Sequence, residues 1–147
     1  MRVFLVSIIA VCGLLLAAGS SRAAGPGAAV HKELSTAILH ADFAGRAEDV
    51  KGTHTHLRHV INCLVGSGGQ NYDARAGDPC RGQGHGAVRD AEAAALPKPV
   101  RRRLAQALSL SVIALGVTDA EPASHVARAV MALLKEAKQH LPAAQQE

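Results

Sequence analysis

Apolar side chains recur at intervals of three and four along most of the chain, the spacing that lines one face of an α-helix. Val30, Leu34, Ala37, Ile38, Ala41 and Ala44 mark a first helix over 28–44, with Gly45 as its stop. Val50, Leu57, Ile61 and Leu64 mark a second, from near Ala47 to Leu64, ended by Gly66-Ser67-Gly68-Gly69. So short a connection folds the two helices back as an antiparallel hairpin. Pro99 suits the first turn of a third helix, whose stripe of Val100, Leu104, Ala107, Leu108, Val112 and Leu115 runs to Gly116. Asp119 is placed as the N-cap of a last helix, with Pro122 in its first turn and Val126, Val130, Leu133, Leu134, Ala137 and Leu141 on its apolar face. Between the hairpins, Gly66 to Gly86 carries seven glycines and one proline, so it reads as a loop. A short helix over 87–95 follows, closed by Leu96-Pro97-Lys98-Pro99. The expected fold class is all-α, an up-and-down four-helix bundle with a Gly-rich loop between its second and third long helices.

The first residues follow a different pattern. Met1-Arg2, an apolar run from Val3 to Ala18 and the small, polar Gly19 to Ala24 have the layout of a secretory signal peptide cut after Ala23. The run is shorter than the roughly 20 residues of a bilayer span. Cys12, preceded by the bulky Val11 in mid-run, is a poor lipoprotein anchor. The expectation is a leader over 1–23 and one domain over 24–147, in the periplasm or secreted, with no transmembrane segment in the mature chain. Loss of Arg2 and Arg22 lowers the formal charge of the whole chain from +4 to +2, too mild an excess to indicate a nucleic-acid partner. With the leader gone, Phe43 and Tyr72 are the remaining aromatic residues, which gives little support for stacking recognition of sugars, bases or flavins.

Candidate chemistry is concentrated in the first hairpin. Five of the eight histidines, His31, His40, His54, His56 and His59, lie there. His56, His59 and Cys63 are three and four residues apart and project from one helix face, as when one helix supplies several ligands to an ion. His40 lies about one and a half turns before the reversal, level with His54 and His56, so a site of His40 with His54 or His56, completed by His59, is geometrically reasonable. His31 is further from the reversal and is expected to meet the far end of helix two. Imidazole donors suit a divalent transition metal such as copper, zinc or nickel, and the scarcity of nearby carboxylates argues against calcium or magnesium. Histidines on amphipathic helices are also common as plain surface or core residues.

Cys63 and Cys80 have two readings. In an oxidising compartment they form a disulfide that pins the long loop, contributing about 3 kcal/mol in a chain-entropy account. As thiolates they would join the histidines around zinc or iron. With the sulfurs oxidised, the histidines serve alone or with Asp42, Asp49 or His85. Asn71, Asp73 and Asp78 lack the alternation of a calcium loop and are read as turn and capping residues. Gly82-Gln83-Gly84-His85-Gly86 has no strand before it, as a phosphate cradle would, and Arg101 to Arg103 read as a solvated basic run. Nucleophile, zincin and covalent-haem motifs are missing from the sequence, so no enzyme is expected.

The hairpin carrying His31, His40, His54, His56 and His59 is similar to the histidine-spaced helices of small periplasmic metal-binding proteins that fold as four-helix bundles. The segment His54 to Cys80, with Leu57, His59, Asn62-Cys63-Leu64-Val65-Gly66 and Asp78-Pro79-Cys80, also resembles a pattern in short exported bacterial proteins. The chain departs from the metal-binding group in its Gly-rich loop and in a second hairpin with only His125 and His140. The resemblance implies a metal-binding role. The expected function is buffering or delivery of copper, zinc or nickel through the first hairpin. The alternatives are a non-enzymatic envelope protein that docks a partner protein through the disulfide loop, and a bis-His haem protein.

Overall fold

Helix α1 (Pro26–Arg46) starts with proline in its first turn, where a missing N–H costs nothing. In this computed structural model, which describes residues 25–143, it is followed by α2 (Val50–Val65), α3 (Ala87–Ala93), α4 (Lys98–Ala114) and α5 (Ala120–Gln139). The described residues are all-helical apart from loops and turns, as the periodicity predicts. None of their helices is long and apolar enough to cross a membrane. The expected leader, 1–23, lies outside the described residues.

Two boundaries differ from the sequence reading for identifiable reasons. Gly45 does not stop α1 but lies inside its last turn, buried where the Arg128 side chain of α5 crosses it. A Cβ there would stand 2.9 Å from Arg128 Cγ, and Arg128 Nη1 donates to the Gly45 carbonyl at 2.8 Å. The second helix starts at Val50 because Asp49 caps it, its Oδ1 accepting from the Gly52 N–H at 2.6 Å. Residues 47–49 are thus the whole connection, and α1 and α2 pack along one another.

α1 also packs against α5, and α4 against α5, while α3 bridges α1, α2 and α4. The main core joins Val30 and Leu34 of α1, Val60 and Leu64 of α2, Val100 and Leu104 of α4, and Val130 and Leu134 of α5. A smaller cluster of Ala44, Leu57, Ala114 and Ala127 closes the other end. Alanine fills much of the contact face (Ala37, Ala41, Ala107 and Ala137 are fully buried), and side chains this small let helices approach closely.

The loop over 66–86 is fastened at several points. Cys63 and Cys80 form a disulfide, with Cα atoms 5.1 Å apart. Buried Asn62 donates through Nδ2 to the carbonyls of Asp73 (2.8 Å) and Gly77 (2.6 Å), and its Oδ1 accepts from the Asp73 N–H (2.9 Å). At the loop's two ends Gly66 and Gly86 pass so close that a side chain on either would strike backbone. A Cβ on Gly66 would lie 2.0 Å from the His85 carbonyl oxygen. Both have positive φ, 66° and 107°, which glycine adopts freely.

Candidate metal centre

The three-residue turn sets the register between α1 and α2 and so decides which histidines meet. His40 of α1 enters the groove opposite His56 and His59, which share a face of α2 one turn apart. His40 Nδ1 stands 3.2 Å from His56 Nδ1 and 3.2 Å from His59 Nδ1. One nitrogen from each ring lies within 4.8 Å of the others, and among the described residues no other group of histidine, cysteine or acidic side chains converges in this way. The rings approach edge to face or tilted, with centroids 4.6–5.7 Å apart. Phe43, one turn beyond His40 and itself exposed, packs beside the cluster, with its centroid 5.7 Å from His40 and 5.2 Å from His56.

Protons alone cannot satisfy this arrangement. His59 Nε2 lies 2.6 Å from the Ala76 carbonyl oxygen, which can only accept, so Nε2 carries the hydrogen and neutral His59 presents a bare lone pair at Nδ1. His40 Nδ1 faces this nitrogen and His56 Nδ1 at equal distance, and with neutral rings one N–H can bridge only one of the two contacts, whichever ring carries it. Burial holds His40 down at about 4, with the charges of His59 and His56 adding to the effect. Burial, and then His59, also lowers His56. These two rings are therefore neutral at pH 7 and offer lone pairs. Nitrogens bound to a tetrahedral zinc, each about 2.0–2.1 Å from the ion, stand roughly 3.3–3.4 Å apart. The observed 3.2 Å separations lie close to that edge length. The Ala76 carbonyl fixes the His59 tautomer from outside the centre, the usual support for a metal-ligating histidine.

The remaining sequence candidates are placed elsewhere. His54 points away from His56, and its Nε2 meets the carbonyls of Ala114 (3.1 Å) and Val117 (3.0 Å) at the end of α4. His31 faces α5 instead of the far end of α2. It lines a surface hollow with Lys135, Lys138 and Gln139, and burial and the Lys138 charge lower it. The sulfurs of Cys63 and Cys80 are bonded to each other, not presented as thiolates. Asp42 pairs with Arg46, Asp49 caps α2, and His85 sits 3.4 Å from Asp90. Asp73 and Asp78 accept from the N–H groups of Arg75 and Cys80 two residues on, as turn residues do.

The sequence reading overlooked two contributors. Asn62 ties the loop to α2 three residues after His59, and its partners are main-chain groups that no spacing rule identifies. Glu33 sits among the apolar positions of α1 and is almost completely buried. Compared with known proteins, the chain matches no family model, no curated protein and no solved structure.

Proposed function

We propose that this protein binds one divalent transition-metal ion per chain through Nδ1 of His40, His56 and His59, and that it buffers or delivers copper, zinc or nickel outside the cytoplasm. The observation that carries this reading is the pair of 3.2 Å contacts within a group of three ring nitrogens that all lie within 4.8 Å of one another. An all-imidazole set is borderline-soft and favours these ions over calcium or magnesium. Three protein ligands leave a coordination position open on a tetrahedral ion, through which a partner protein or solvent can take the metal. Rings that converge edge-in leave no flat slot between them, which favours an ion over a haem plane. The disulfide fits an oxidising compartment, and with the leader-like start it supports a periplasmic or secreted location. The helix packing supports an up-and-down bundle of α1, α2, α4 and α5 with α3 as an accessory.

Calorimetric titration of the oxidised protein at pH 7.5 with zinc, copper and nickel tests this. One equivalent is taken up at micromolar concentration, and the uptake is lost in a His56→Gln/His59→Gln variant. Failure of all three ions to bind the unsubstituted protein would overturn the reading.

A further inference from the structure

Charge is divided unevenly between the two ends of the bundle, and the contacts between helices fix which termini share an end. Arg103 near the start of α4 pairs with Glu136 near the end of α5, and Lys138 Nζ of α5 donates to Ser35 Oγ in the first half of α1 at 2.8 Å. The start of α1, the start of α4 and the end of α5 therefore lie together, with the loop and α3 beside them. At the opposite end Arg128 of α5 meets Gly45 of α1, and His54 of α2 meets the end of α4.

The first end is basic. Lys98, Arg101, Arg102 and Arg103 open α4, Lys135 and Lys138 close α5, and Lys32 stands near the start of α1. Of the acids on these segments, Glu136 is paired with Arg103, and Glu33, which lines a cavity beneath the disulfide loop, is buried. The loop and α3 add balanced charge, Arg75, Arg81 and Arg89 against Asp73, Asp78 and Glu92, with Asp90 buried. At the opposite end Asp42, Glu48, Asp49, Asp119 and Glu121 outnumber Arg46, Lys51 and Arg128.

A helix start disfavours nearby cations, and α4 has no acid in its first turn to offset them. Its basic opening costs that helix stability, and a broken local rule of this kind points to a use outside the fold. The side chains of Lys32, Lys98, Arg102 and Lys135 are exposed and have no hydrogen-bond or ion-pair partner among the described residues. Two features favour a lipid surface over a soluble polyanion as their counterpart. The apolar run over 3–18 leads into α1 at this end, and the six residues between Ala18 and Gly25 span at most about 25 Å, so a leader still in the membrane holds these cations close to it. Beside Arg102 and Arg103, a hollow of about 580 Å³ between α4 and α5 has Ala105, Leu110 and Leu133 on its wall along with Gln106 and Ser109, apolar surface that lipid can use and a polyanion cannot.

We propose that this end of the bundle docks on an anionic lipid bilayer, with Lys32, Lys98, Arg102 and Lys135 among the headgroup phosphates. His40 lies about 20 Å along α1 from that end, beyond the screening length of about 8 Å at physiological salt. The histidine groove thus stays clear of the surface and open to exchange while the protein is docked.

Co-sedimentation of the oxidised mature protein with vesicles tests this, one set made of phosphatidylglycerol and phosphatidylcholine in equal parts and one of phosphatidylcholine alone. The protein pellets with the anionic vesicles and not with the neutral ones, and salt at about 1 M, where the screening length is about 3 Å, releases it. Arg102→Gln/Lys135→Gln weakens binding about 30-fold, the loss of two cations from the surface. Arg46→Gln/Lys51→Gln removes the same charge from the opposite end, about 30 Å away, and weakens binding less than about threefold. All four positions are exposed, and circular dichroism checks that both variants fold. A His40→Gln/His56→Gln/His59→Gln variant binds the vesicles like the unsubstituted protein, which keeps the result independent of the metal reading. The proposal is overturned if neutral vesicles bind equally well, if the two charge variants weaken binding alike, or if double-stranded DNA at equal phosphate concentration binds more tightly than the anionic vesicles.

Discussion

Two turns of α1 separate Glu33 from His40, and the same helix supplies the key group to two quite different regions. In the histidine groove burial disfavours the cationic form and leaves bases neutral. In the cavity under the loop burial disfavours the anionic form and holds an acid protonated up to about neutrality. The groove is built from helix side chains, with one main-chain contact from the loop. The cavity is walled mostly by the loop itself and keeps its shape through the disulfide and Asn62. One desolvating environment thus prepares opposite chemistries, and the two regions should differ in how far they depend on the loop's fastenings.

Removing the disulfide separates them most strongly. A Cys63→Ala/Cys80→Ala variant should lose about 3 kcal/mol of stability in denaturant titrations. Its metal affinity should change less than about tenfold, the lower range for loss of outer-shell support. A larger loss of metal affinity would mean that the groove also rests on the loop. The converse variant, His56→Gln/His59→Gln, should weaken zinc binding by more than about 100-fold, beyond the range for outer-shell partners. Competition titrations against a chelator of known affinity would measure the loss.

A smaller effect is expected at His54. His54→Ala should cost about 1 kcal/mol in thermal unfolding, the value of a typical hydrogen bond. Metal affinity should stay at the unsubstituted level. A large loss of zinc binding in that variant would put His54 back among the ligands.

The pH dependence of the metal-free protein is the subtlest contrast. His40 titrates near 4 when folded, against an ordinary value of 6.5, so the unfolded chain takes up its proton first and stability is lost as pH falls from 6.5 towards 4. The downward shift of His56 acts in the same direction. Glu33 titrates near 7 when folded, against an ordinary value of 4.5, so its contribution is present below 4.5 and is lost as pH rises towards 7. Between pH 4.5 and 6.5 the two oppose and the melting temperature should change little. In Glu33→Gln the opposition is gone, and the melting temperature should rise steadily over that interval. A flat profile in the variant would contradict the assignment.

Much of this was readable from spacing because the relevant groups sit on regular helices close to a short turn. The positions of His56 and His59 three residues apart, and of His40 just before the reversal, contain most of the metal geometry. The separation of His54 from His56 by two residues already places it on another side of α2. Which element lies across from it is a tertiary fact, and here it is the end of α4. His31 fails in the same way, because the stripe of α1 touches α5 as well as α2. Gly45 looked like a helix stop, since close packing under Arg128 and helix termination favour the same residue. Glu33 stood in plain view between Val30 and Ala37, but a polar residue within an apolar stripe reveals its burial only when a glycine loop closes over it.

The His59 ring has one nitrogen turned to the groove and the other to Ala76. An ion held at the first would draw electrons from the ring and make the hydrogen on the second a stronger donor to that carbonyl. Ala76 belongs to the same tethered segment as Tyr72 and Asp78. A single aromatic heterocycle thus joins the two regions physically, one edge in the groove and the other on the strap of chain that the disulfide holds down.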